Sequence, residues 1–176
     1  MNKPNLLIFD VDDTIIQWTP KYINWLFNTH YGKFDTHKPD TWFVKPWIDE
    51  FNNKAKEFTF REPMRKSIEL LLKLKKDYQI LFLSACGRGA EHRQKRILDC
   101  YIPFNEWQLD VVDSSNEKIE TILNISKFYN TFTIDDRIQT VLGLRKLGLS
   151  ASYNVGDLEL LTQEIRRHFN ETEDIP

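Results

Sequence analysis

The chain alternates short, unbroken apolar runs with longer stretches in which apolar residues recur every three or four positions. Leu6 to Phe9 is the first run, four apolar residues without the polar alternation of a half-exposed strand. Such a run suits a strand buried on both faces, as in a parallel sheet. Comparable runs stand at 79–84, near 107–112, at 130–135 and near 151–155. Between them the period is helical. Pro63 stands near a helix start, and Ile68, Leu71, Leu72 and Leu74 form an apolar stripe among lysines. A second helix follows the loop Ala85-Cys86-Gly87-Arg88-Gly89 and continues to about Cys100, and others are expected over 116–128, 137–147 and 157–169. Strands alternating with helices predict an α/β fold, a parallel sheet covered by helices on both faces.

Residues 17–61 break this rhythm. Between positions 18 and 60 lie 12 of the 23 aromatic residues, among them Trp18, Trp25, Trp42 and Trp47. Trp18, Tyr22 and Trp25 fall at helical spacing, as do Trp47 and Phe51, while Tyr31-Gly32 and Lys38-Pro39-Asp40 read as breaks. The expectation is a small helical unit inserted after the first strand, with residues 1–16 and 62–176 forming the core. Most of its rings would fill the core of that unit, and a few would face a planar ligand.

Composition narrows the function classes. With 41% hydrophobic residues the chain can bury a sizeable core, and 24 basic against 26 acidic residues leave a formal charge of -2. No global basic field draws it to nucleic acid or to an anionic membrane, so an anionic substrate must be recognised locally. No apolar run is long enough to span a bilayer and no signal-type segment precedes the first strand, so the expected compartment is the cytoplasm. Cys86 and Cys100 lack metal-ligand spacing and are expected to be free thiols.

The chemistry gathers at the ends of the expected strands. Asp10, Asp12 and Asp13 follow the first within four positions, a crowding that raises the carboxyl pKa values unless a cation or hydrogen-bond donors sit among them. An acidic turn closed by Thr14 is the plainer alternative. In an open parallel sheet, ligands bind beyond the carboxyl ends of the strands. Those ends carry Asp10 and Asp12, then Ser84, and later Asp135 and Asp136, while Lys118 lies at the start of the intervening helix. Singly, Ser84 could be a turn residue, Lys118 a solvated charge and Asp135-Asp136 a helix cap. One edge collecting four carboxylates, a hydroxyl and an ammonium in this order is a functional constellation.

In these residues the sequence resembles the haloacid dehalogenase superfamily, whose phosphatases carry an Asp-x-Asp-x-Thr motif, then a Ser or Thr, a Lys and an acidic pair. The match is Asp10-Val11-Asp12-Asp13-Thr14, Ser84, Lys118 and Asp135-Asp136, spread over nearly the whole chain. Asp13 stands where glycine is common. Gly87-Arg88, Ile134-Asp135-Asp136-Arg137, Arg145, Gly148 and Gly156-Asp157 also look like the phosphatase domain of phage polynucleotide kinases, but no Gly-x-x-x-x-Gly-Lys-Ser/Thr loop is present. The insertion is similar in place and aromatic character to the cap of 5'(3')-deoxyribonucleotidases.

The resemblance implies a Rossmann-like fold and a Mg²⁺-dependent phosphomonoesterase with an aspartyl-phosphate intermediate. Asp10 would be the nucleophile, Asp12 the general acid and base, and Ser84 and Lys118 the ligands of the phosphoryl oxygens. The metal would be held by Asp10, the main-chain carbonyl of Asp12, Asp135 and Asp136. Thr14, Arg88, Trp18, Trp25, Trp42 and Trp47 are the candidate substrate-binding residues. A small phosphorylated substrate, a nucleoside monophosphate, is expected, with a 3'-phosphorylated nucleic-acid end as the alternative. For the latter, Arg88, His92, Lys95 and Arg96 would follow a phosphate backbone, although a solvated helix face explains them equally. A catalytically silent binding protein of this fold would lack the nucleophile or the acid, and both are present.

Overall fold

The computed structural model describes residues 3–16, 63–153 and 155–169. The chain divides into two units, Met1–Ile16 with Pro63–Pro176 and Gln17–Glu62, and all described residues belong to the first. The expected cap at 17–61, with its four tryptophans, lies outside the described residues. Among the described residues no helix is long and apolar enough to cross a membrane.

Five strands form one parallel sheet: β1 (Asn5–Phe9), β2 (Gln79–Ser84), β3 (Gln108–Val111), β4 (Asn130–Asp135) and β5 (Ser150–Tyr153). Their spatial order is β3-β2-β1-β4-β5. The described α-helices are α1 (Arg65–Leu74), α2 (Glu91–Tyr101), α3 (Ser115–Ile125), α4 (Ile138–Lys146) and α5 (Leu158–His168). The α/β expectation and the five strand positions hold.

Handedness explains where the helices go. From β1 the chain steps outward to β2 and β3, then crosses back to β4 and on to β5. Right-handed crossovers in opposite directions put their helices on opposite faces of the sheet. Side chains follow the same division. Leu7 and Phe9 pack with Leu70, Leu71 and Leu74 of α1, Ile97 and Leu98 of α2, and Leu161 and Ile165 of α5. Leu6 and Ile8 pack with Ile122 of α3 and Val141 and Leu144 of α4. Both faces of β1 are therefore buried, which accounts for its unbroken apolar run. The direction of winding reverses between β1 and β4, and the crevice beyond that switch point is where such folds bind ligands.

The loop after β1 is held tightly. Ile15 and Ile16 donate their backbone N–H groups to Val11 O at 2.9 and 3.0 Å, and Asp13 N donates to Ile16 O at 2.7 Å. This turn places Asp13 in the left-handed region at φ +58°, which Asp tolerates better than most residues and which glycine adopts freely. Ile16 then bridges to Pro63 antiparallel, so the chain leaves and re-enters the core side by side. That bridge delays α1 to Arg65, two residues past the proline expected near its start. Ser67, in the first turn of α1, reaches back and donates its hydroxyl to Thr14 O at 2.5 Å in a buried contact. Ser67→Ala would leave that carbonyl without its buried donor and should cost about 1–3 kcal/mol of unfolding free energy, measured by urea denaturation.

Candidate active site

Asp10 lies directly beyond β1, its backbone N–H donating to Ile134 O of β4 at 2.9 Å. This bond sets Asp10 beside the end of β4, whose last residue is Asp135. Into the gap comes Lys118. Its helix α3 is capped by Ser114, which accepts from Glu117 N, and the lysine lies one turn inside that end. Lys118 Nζ stands 2.5 Å from Asp10 Oδ1 and 2.6 Å from Asp135 Oδ2. Only 2% of Lys118 and 1% of Asp135 are exposed. An ammonium so buried persists only with close counter-charges, and two carboxylates supply them.

Ser84 closes β2 and is buried, with its carbonyl accepting from Val112 N at 2.9 Å. Gln94 links it to the first motif. From α2, with no exposed surface, Gln94 Nε2 donates to Asp12 Oδ2 at 2.7 Å and to Ser84 Oγ at 3.2 Å. Sequence reasoning missed this residue. Its signal was a polar side chain at the head of the stripe Gln94, Ile97 and Leu98, where helical spacing calls for an apolar one. Thr14, also buried, points its hydroxyl at Asp10 Oδ2 from 3.5 Å, the outer limit of a hydrogen bond.

Arg88 lies apart from these groups. It sits in a short 3₁₀ turn (Arg88–Ala90) ahead of α2, following Gly87 at φ +87°. Its guanidinium pairs with Asp113 at 2.8 Å and with Glu117, not with the Asp10 cluster. Its backbone N–H also donates to Asp113 Oδ1 at 2.9 Å, so Arg88 fastens the loop after β2 to the loop before α3. His92, Lys95 and Arg96 are exposed on α2. The structure thus brings together Asp10, Asp12, Thr14, Ser84, Lys118, Asp135 and, next to it in the chain, Asp136, and leaves Arg88 on the rim.

Neither a protein-family model nor a curated protein matches the chain. Solved structures do. A haloacid dehalogenase-like hydrolase from Streptococcus pneumoniae superposes with a TM-score of 0.60 over 95% of this chain and 99% of its own, at 13% identity. A haloacid dehalogenase-like hydrolase from Xanthomonas campestris gives 0.57 over 96% of this chain and 97% of its own, at 12% identity. The chain has the haloacid dehalogenase fold. A chain of the Pnkp1/Rnl/Hen1 complex is also similar, with a TM-score of 0.54 and 19% identity over 88% of this chain and 47% of that one. Fold carries no substrate by itself, so the chemistry rests on the side chains.

Within this haloacid dehalogenase fold the carboxylates outnumber the cation. Burial pushes the Asp10 carboxyl up to about 6; Lys118 pulls it down and Asp135 pushes it further up. Asp136 is pushed up to about 8, first by burial, then by Asp10, Asp135 and Asp13, with Arg137 opposing. For Lys118, burial favours the neutral amine, but Asp10 and Asp135 outweigh it and the net shift is upward. Among the described residues no three His, Cys, Asp or Glu side chains are grouped as a metal site. Lys118 draws Asp10 and Asp135 onto itself instead. The donors at this rim are nonetheless all oxygens with surplus negative charge, a set that fits a hard cation such as Mg²⁺.

Both raised carboxyl pKa values lie above the ordinary 3.8, so the folded metal-free protein binds more protons here than the unfolded chain. The stability this confers is fully present below about pH 4 and is lost as the pH rises through about 6 and then about 8. Thermal denaturation of metal-free protein across that range should show the decline. Asp136→Asn should flatten its upper part.

Proposed function

We propose that this protein is a Mg²⁺-dependent phosphomonoesterase that works through an aspartyl-phosphate and takes nucleoside monophosphates as substrates. One observation carries the reading: Asp10, beyond β1 at the switch point, is held by a buried lysine beside Asp135, with Asp12 two residues further on.

Asp10 attacks phosphorus in line with the leaving oxygen, forming the acyl phosphate as the P–O bond to the nucleoside breaks. Asp12 gives the departing oxygen its proton; it then takes one from the water that hydrolyses the intermediate, returning Asp10 to its carboxylate. Lys118 fixes Asp10 through Oδ1, which leaves Oδ2 as the attacking atom, and with Ser84 it meets the equatorial oxygens as their charge redistributes. The metal would be held by Asp10, the main-chain carbonyl of Asp12, Asp135 and Asp136. Bound there, it would offset the repulsion between an anionic nucleophile and a dianionic ester.

The substrate class rests on the insertion. It fills the stretch between Ile16 and Pro63, two core residues that pair in an antiparallel bridge. Its tryptophans, Trp18, Trp25, Trp42 and Trp47, offer flat surfaces for a nucleobase, and such stacking contributes about 1–3 kcal/mol per base. A second reading, a phosphatase of 3'-phosphorylated nucleic-acid ends, is favoured by the exposed His92, Lys95 and Arg96 on the helix that carries Gln94.

Phosphate release from mononucleotides, sugar phosphates and a 3'-phosphorylated oligonucleotide, with Mg²⁺ and after chelation, separates these readings. The mononucleotide should be the best substrate, and chelation should stop turnover. Asp10→Asn should lower kcat at least about 10³-fold while the fold is retained, because an amide cannot attack phosphorus. Residual turnover near the wild-type level would remove Asp10 from the role. A better rate on the oligonucleotide would replace the nucleotidase reading with the end-processing one.

A further inference from the structure

The mechanism above assigns no role to Gln94, although its amide touches two of the groups the mechanism uses. Gln94 Nε2 has two hydrogens and meets two acceptors, Asp12 Oδ2 at 2.7 Å and Ser84 Oγ at 3.2 Å. Turned over, the amide would set its carbonyl oxygen against the Asp12 carboxylate oxygen, two acceptors with no hydrogen between them. Its Oε1, buried and without a hydrogen-bond partner among the described residues, shows that the orientation is set by the nitrogen side.

Two consequences follow for the atoms involved. Ser84 Oγ, accepting from Gln94, directs its own hydroxyl hydrogen to another acceptor. Asp12 Oδ2, held by an N–H at 2.7 Å from a side chain with no exposed surface, has its carboxyl group fixed in orientation. We propose that Gln94 is the positioning residue that locks Asp12 in its proton-transfer orientation and at the same time keeps the Ser84 hydroxyl a donor toward the phosphoryl group. This role rests on the phosphomonoesterase reading. Along the chain Gln94 and Asp12 are 82 residues apart, and Gln94 and Ser84 are 10 apart, so α2 joins the end of β2 to the loop after β1.

The test compares two leaving groups. A nucleoside alkoxide must be protonated as it departs, whereas p-nitrophenolate leaves without a proton. Because kcat/KM covers only the steps up to loss of the leaving group, later hydrolysis of the acyl phosphate does not enter. Gln94→Met keeps length and removes the amide. It should lower kcat/KM for the nucleoside monophosphate about 10- to 100-fold more than for p-nitrophenyl phosphate, within the range of general acid catalysis. Asp12→Asn calibrates the measurement and should shift the same ratio at least as far. A Gln94 variant that lowers both substrates equally, or neither, overturns the proposal. Should Gln94→Met fail to fold by circular dichroism, Gln94→Glu, which keeps the shape but turns an oxygen toward Asp12, is judged by the same ratio. Wild-type protein inactive on both esters would sink the phosphomonoesterase reading itself, an outcome distinct from an unchanged ratio in an active enzyme.

Discussion

Lys118 has 2% of its surface exposed and its ammonium lies within 2.6 Å of oxygens from Asp10 and Asp135. Removing one member of such a buried group leaves uncompensated charge at a cost of roughly 3–5 kcal/mol. The site depends on this arrangement because it joins three elements at one point. Asp10 belongs to the loop after β1, Asp135 ends β4, and Lys118 comes from α3 on the connection that crosses between the two halves of the sheet. The same lysine that makes the cluster tolerable also fixes the Asp10 carboxylate in place.

The sheet explains why these three can meet. Winding reverses between β1 and β4, and in such sheets ligands bind beyond the strand ends at that switch point. The connection from β3 to β4 passes over this point, and Ser114 fixes where α3 begins. The haloacid dehalogenase fold thus gathers buried polar groups at these strand ends, directly beyond the apolar runs of β1, β2 and β4.

The loop from Val11 to Ile16 carries a second constraint. It must turn tightly enough to return Ile16 to Pro63 while presenting Asp12 to Gln94 and Thr14 to Asp10. The turn requires a positive φ at Asp13, which explains why an Asp can stand where the resembling phosphatases commonly have glycine. Its carboxylate repels negative charge on Asp136 and helps push that carboxyl up. The residue that takes the turn's positive φ therefore also crowds the cluster with charge.

The sequence by itself determined the strands, because burial on both faces demands continuous apolar runs such as Leu6 to Phe9, and it placed Asp10, Ser84 and Asp135 at their ends. It also determined the order of the helices, since their stripes repeat with a local period. Tertiary structure alone decided the rest. Lys118 meets Asp10 across 108 residues and Gln94 meets Asp12 across 82. Such contacts follow from crossover direction and strand register, which no local period encodes. The start of α1 moved because Pro63 is bridged to Ile16, a partner 47 positions away that the helical signal of residues 65–74 cannot register. Arg88 turned to Asp113 and Glu117 for the same reason: an exposed guanidinium takes the nearest carboxylates that folding delivers, and those come from the loop and helix that follow β3.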